Sequence, residues 1–139
     1  MTLARRLRIS LLGLRLGISV VFVFWSLDKL VNVEHAHRVA GHFYGLEGAT
    51  PAALAVMGVA QLALAVAFAA GIAKRATYGA VLVLHAISTL SSYAQYLDPF
   101  QNLLFFAAWP MLAACFALYL LRAEDTLWTL ARSSRAGSA

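Results

Sequence analysis

Charge is what this sequence has least of. Only 12% of its 139 residues are Asp, Glu, Lys or Arg, against 62% hydrophobic, and mean hydropathy is +0.76. A soluble domain carries about 25% charged residues, so the composition excludes a soluble enzyme and implies a membrane protein. Cysteine is nearly absent as well. The single Cys115 rules out an intramolecular disulfide or a redox thiol pair, and inside an apolar run it reads as a small buried hydrophobe. There is also no glycine-rich phosphate loop, no Ser-His-Asp order worth defending and no basic-aromatic stripe for nucleic acid. The net charge of +5 does not suggest nucleic acid either, because the bases gather at the ends of apolar runs, where anionic headgroups lie.

What is present is hydrocarbon-length helix. Four apolar segments can be marked, at about 9–33, 51–73, 78–97 and 102–121. Each offers roughly 20 residues, enough to cross a hydrocarbon core of about 30 Å. Backbone in lipid must satisfy its own hydrogen bonds, so these are expected as helices. The basic start followed by apolar residues resembles a signal peptide, but no small-x-small site closes the run, and a retained signal anchor is expected. Lys74-Arg75 marks a tight turn, Asp98-Pro99 a break, and Thr50-Pro51 an N-cap with proline at the first helical position. The fold class expected is all-α, a single-domain integral membrane four-helix up-down bundle over residues 1–139. Residues 34–50 are expected as a loop outside the membrane and 131–139 as a mobile tail. Gly13 and Gly17 form a GxxxG pair suited to close helix approach, Gly58 and Gly71 keep the second span slim, and Pro110 should kink the fourth.

Orientation follows from the bases. Arg5, Arg6, Arg8, Lys74, Arg75, Arg122, Arg132 and Arg135 fall on one side, Lys29 and Arg38 on the other, with Arg15 inside the first span. The positive-inside rule puts both termini in the cytoplasm and the 34–50 loop outside. The expected location is the inner (plasma) membrane of a bacterium.

Polar groups cluster in two places. Between Asp28 and Glu47 lie three of the four histidines, three of the six acids and two bases. Continued as a helix, Trp25, Asp28, Asn32, His35 and His42 would share one face. The ordinary reading is an interfacial anchor with a solvated loop; the sharper one is a polar site at the outer membrane face. Glu34, His35, His37 and His42 are of the types that ligate zinc, copper or iron. Against that, His35 and His37 point to nearly opposite sides of a helix, and no familiar zinc spacing is present. The second cluster is a stripe on the third span, His85, Thr89, Ser92 and Tyr96, with Ser88 and Gln95 on its flank. Lipid does not favour such a stripe, so it should face the interior or a partner. With Gln61 from the second span and Asp28 from the first, His85, Ser92 and Tyr96 could bound an outward-opening polar cavity. Neutral imidazole both donates and accepts, which suits a quinone carbonyl or hydroxyl, and Phe105 and Phe106 could wall a flat slot. A packed core histidine is the plain alternative for His85, a haem or metal ligand another, and for Gln61 the plain alternative is interhelical glue.

A family resemblance enters on two stretches. Leu14-Arg15-Leu16-Gly17 followed by Phe24-Trp25-Ser26-Leu27-Asp28-Lys29-Leu30 is similar to the first span of the DoxX family of small four-helix membrane proteins. Gly58-Val59-Ala60-Gln61 and Gly71-Ile72-Ala73-Lys74-Arg75 resemble its second span, and the likeness runs over about 11–121. Ser26 stands where the family often has glycine and Gln61 where it often has glutamate, which removes an intramembrane acid and any proton relay through it. The resemblance implies a four-span bundle associated with redox systems; members include membrane subunits of thiosulfate:quinone oxidoreductase and accessory proteins of redox enzymes. Trp25, Lys29, Gln61 and Arg75 are the motif positions it carries over. The expectation is a membrane subunit or accessory protein of a larger redox complex, embedded in the lipid bilayer, anchoring a partner and contributing to a quinone site. The alternatives are a stand-alone quinone- or sulfur-linked oxidoreductase, and a metal- or haem-binding accessory protein using His35, His37, His42 or His85.

Overall fold

The computed structural model describes residues 1–130, and among these the chain is all-α. Six α-helices run in order: α1 (Leu3–Val31), α2 (Val33–Tyr44), α3 (Pro51–Ala69), α4 (Lys74–Ser91), the single turn α5 (Tyr93–Tyr96) and α6 (Ala108–Leu120). A 3-10 turn (Leu103–Ala107) leads directly into α6. Three stretches, Leu3–Val31, Pro51–Ala69 and Leu103–Leu120, are long and apolar enough to cross a membrane. The architecture is consistent with a multi-span membrane protein.

Local chemistry accounts for the boundaries. Thr2 Oγ1 accepts from the Arg5 amide at 3.4 Å and Thr50 Oγ1 from the Ala53 amide at 3.2 Å, each satisfying an otherwise free first-turn donor. Pro51 loses nothing at the first helical position, where no N–H partner exists anyway. Gly45 closes α2 in the left-handed conformation, with the Leu46 amide bonded back to the Ala40 carbonyl at 3.0 Å.

Three expectations are corrected here. The stretch 34–50, expected as a loop, is mostly helix: α2 buries Ala36 and Ala40 against Leu54 of α3. The continuous third span expected over 78–97 is broken at Ser92, and α4 is not among the stretches long and apolar enough to cross a membrane. Gly13 and Gly17 do not mediate close approach within this chain, since a Cβ built at either would meet nothing within 4 Å. Gly58 takes that role, with Leu30 and Lys29 of α1 as near as 2.9–3.0 Å to such a Cβ. Near Pro110, where a kink is expected, the helix type changes: the chain is 3-10 over Leu103–Ala107 and α-helical from Ala108, and proline cannot donate to the Phe106 carbonyl four residues back. The tail 131–139 lies outside the described residues.

α1 packs chiefly on α3 and α4 on α6. Close pairs fix their directions: Leu30 beside Gly58 and Arg15 beside Gly71 make α1 and α3 antiparallel. Tyr119 beside Gly79, with Ala108 bonded to His85, makes α4 and α6 antiparallel. Leu11, Ile18, Phe22, Ala65, Phe68, Tyr78, Val81, Cys115 and Leu118 form one continuous core. Val20, Phe24, Val56, Val59, Val66, Val83, Leu90 and Phe116 remain exposed on the outer faces. An exposed apolar girdle of this extent around a packed core is what lipid solvates and water does not.

Candidate functional site

The molecule has two polar ends. The one predicted from sequence lies where α1 finishes, α2 begins and α4 gives way to α5. Asn32 interrupts the helix at φ −129° and ψ 59°, turning α2 away from the axis of α1. The break brings His35 Nδ1 to 2.8 Å from Asp28 Oδ2, in a pair that stays half-exposed. Lys29 takes a different partner, donating to the Trp25 carbonyl at 3.0 Å. Glu34 pairs with Arg38 one turn along α2, at 3.1 Å and fully in the open. His37 is exposed, and His42 lies across from Gln95, with the two Nε2 atoms 3.3 Å apart. Glu34, His35, His37 and His42 therefore have separate surroundings. Among the described residues no three His, Cys, Asp or Glu side chains come together to hold a metal ion.

The α4 stripe does face inward, and it is largely self-satisfied. Thr89 Oγ1 donates to the His85 carbonyl at 2.8 Å, Ser92 Oγ to the Ser88 carbonyl at 3.2 Å, and Tyr96 Oη to the Thr89 carbonyl at 3.0 Å. His85 is buried between Trp25, at 5.9 Å between ring centroids, and α6. Its Nε2 lies 3.1 Å from the Ala108 carbonyl; a carbonyl only accepts, so Nε2 carries the proton. Nδ1 is left as a buried acceptor with no partner. Tyr96 packs its ring against Phe106 and Trp109, at 5.3 and 5.6 Å. Gln61 is half-buried on α3. The open space nearby is an apolar groove of about 410 Å³ lined by Leu82, Trp109, Leu112, Ala113 and Phe116, and none of Asp28, Gln61, His85, Ser92 or Tyr96 lines it.

No family model, curated protein or solved structure matches the chain.

The second polar end was missed by sequence reasoning, and it is the more tightly built. Arg15 on α1, Tyr78 on α4 and Asp125 beyond α6 are all fully buried. Arg15 Nη1 lies 3.1 Å from Asp125 Oδ2 and donates to Tyr78 Oη at 3.3 Å, while Tyr78 donates to the same carboxylate oxygen at 2.7 Å. Nη2 of Arg15 donates to the carbonyls of Leu127 and Trp128, at 2.6 and 3.2 Å, and Lys74 bonds the Asp125 carbonyl. The Leu130 amide closes the arrangement onto the Ala70 carbonyl at 2.8 Å. Gly71 makes room: at φ 63°, a Cβ there would stand 2.6 Å from Thr129 and 2.8 Å from Arg15. A signal was available, because an arginine six residues inside an apolar span demands a partner, and Glu124 and Asp125 are the acids beyond the last span on that side.

Proposed function

We propose that the chain is a four-span integral membrane protein, similar to the DoxX family, serving as a subunit or accessory protein of a larger redox assembly in a bacterial inner membrane. In this reading α1, α3, α4 and the 3-10 turn with α6 cross the bilayer, both termini are cytoplasmic, and α2 lies at the outer interface. The observation that carries it is the division of the surface. The outer faces of the long helices are apolar, the polar stripe of α4 is turned inward, and the bases collect at the end shared by Arg15, Lys74 and Asp125. An anchoring role is supported by the tip between α4 and α6, where Leu97, Phe100, Leu103 and Leu104 are 65–90% exposed. Such a tip would sit in headgroups or against a partner.

The quinone part of the proposal rests on the acceptor at His85 Nδ1 and on the aromatic wall of Tyr96, Phe106 and Trp109. A headgroup hydroxyl could donate to Nδ1 if the ring were reached from the apolar groove.

Topology is tested by cysteine labelling in whole cells. A cysteine at His37, which is exposed where Ala36 is buried, should react with an impermeant thiol reagent; reaction at Ser134 instead would invert the orientation. Function is tested by purification in mild detergent with mass spectrometry and absorption spectra. A copurifying dehydrogenase or oxidase supports the subunit reading, and a Soret band would replace it with haem binding. His85→Phe keeps bulk and removes both ring nitrogens. Normal assembly with unchanged quinone occupancy in that variant would eliminate the quinone site and leave the anchor.

A further inference from the structure

The geometry points to the Arg15 cleft as a binding site for a carboxylate on a non-helical peptide, filled in this structure by the chain's own residues 121–130. The site is built from three helices. Arg15 supplies both terminal guanidinium nitrogens, Nη1 to the carboxylate and Nη2 to main-chain carbonyls, Tyr78 a hydroxyl to the carboxylate, and Lys74 an ammonium to the carbonyl of the same residue. The Ala70 carbonyl at the α3–α4 turn receives a main-chain amide five residues farther along. Together these groups read one acid and the backbone that follows it: the Asp125 carboxylate and carbonyl, the Leu127 and Trp128 carbonyls, and the Leu130 amide. This is recognition of a non-helical, turn-forming acidic segment by a guanidinium and a main-chain acceptor.

The segment is a ligand more than a part of the core. It has no helix beyond Leu120 and carries its large side chains outward, Trp128 at 78% and Leu130 at 75% exposed. Trp128 sits at φ 50°, a left-handed conformation that a non-glycine residue adopts at a cost. Asp125 is the one fully buried residue it contributes, and the rest of its attachment is main-chain bonds with Thr129 packed on Gly71. On the receiving side Arg15 Nε is buried without a partner, so the cis segment does not exhaust the hydrogen-bonding capacity of the site. Lifting the segment exposes a guanidinium, an ammonium and a phenol at one end of the helices. That is a receiving surface for an acidic segment from another chain.

The test uses the full-length protein in detergent and a fluorescent peptide copying residues 123–130. Asp125→Asn keeps the segment's shape and removes its charge, which weakens the cis occupant. The labelled peptide should bind this variant roughly ten-fold or more tightly than the wild type, where the cleft is already filled, as expected for loss of a charge-assisted bond. The same peptide with asparagine in place of aspartate should lose that advantage, which separates recognition of the acid from partition into detergent. Arg15→Gln should remove binding; if that variant does not fold, Lys74→Met, at the cleft's half-buried rim, should weaken it by a smaller factor. Equal binding of both peptides to wild type and Asp125→Asn would overturn the proposal and leave residues 121–130 as a fixed part of the fold.

Discussion

The two polar ends hold similar inventories and use them in opposite ways. At the Asp28 end most partners are close in sequence: Asp28 with His35, Glu34 with Arg38, Lys29 with Trp25. They bond across one or two helical turns and remain in contact with solvent. At the Arg15 end the partners are 63 and 110 residues apart, and both members of the ion pair have no exposed surface. Exposed pairs gain little Coulomb energy in a high dielectric, whereas a buried pair is costly to break because the survivor is left charged and dry. Abundance of charge is thus a poor guide to where charge matters.

Four substitutions probe that contrast, and the largest effect belongs to Arg15. Arg15→Met should destabilise the fold by about 3–5 kcal/mol, since Asp125 is then buried without its cation; reversible unfolding in a mixed micelle measures it, and a loss below about 1 kcal/mol would mean the carboxylate escapes to solvent. Gly71→Ala comes next, at about 2 kcal/mol, combining a left-handed backbone with a collision against Thr129 and Arg15. Asp28→Asn should cost less than about 1 kcal/mol in the same unfolding measurement, since its bond to His35 stays half-exposed. Gly13→Ala should be neutral or slightly stabilising, as the added methyl meets nothing and favours helix by up to about 1 kcal/mol. If Gly13→Ala instead lowers the mass of the detergent-extracted particle, the face of α1 bearing Gly13 contacts another subunit.

What the sequence revealed was local. The Thr50-Pro51 cap, the apolar helices, and the inward stripe from His85 to Tyr96 each follow from neighbours within two helical turns. Helix α2 was legible as well, since Val33, Ala36, Ala40 and Phe43 recur at helical spacing, but the charges and histidines between them favoured a loop. The break at Asn32 was invisible, as the Asp28–His35 spacing suits a continuous helix equally well. Asp125 could have been found only by asking what neutralises Arg15. It stands past the end of the last apolar run, where acids are ordinarily solvated.

The Arg15–Asp125 pair also imposes a schedule. At a synthesis rate of roughly 5–20 residues per second, a carboxylate 110 residues downstream follows its arginine by roughly 5 to 20 seconds. During that interval α1 must hold an uncompensated guanidinium, and Tyr78 is the first of its eventual side-chain partners to be made. The phenol can accept from the guanidinium before the acid exists, then turn its own proton toward Asp125 once that residue emerges. A tyrosine at this position thus serves as an interim custodian of the charge as well as a member of the finished cluster.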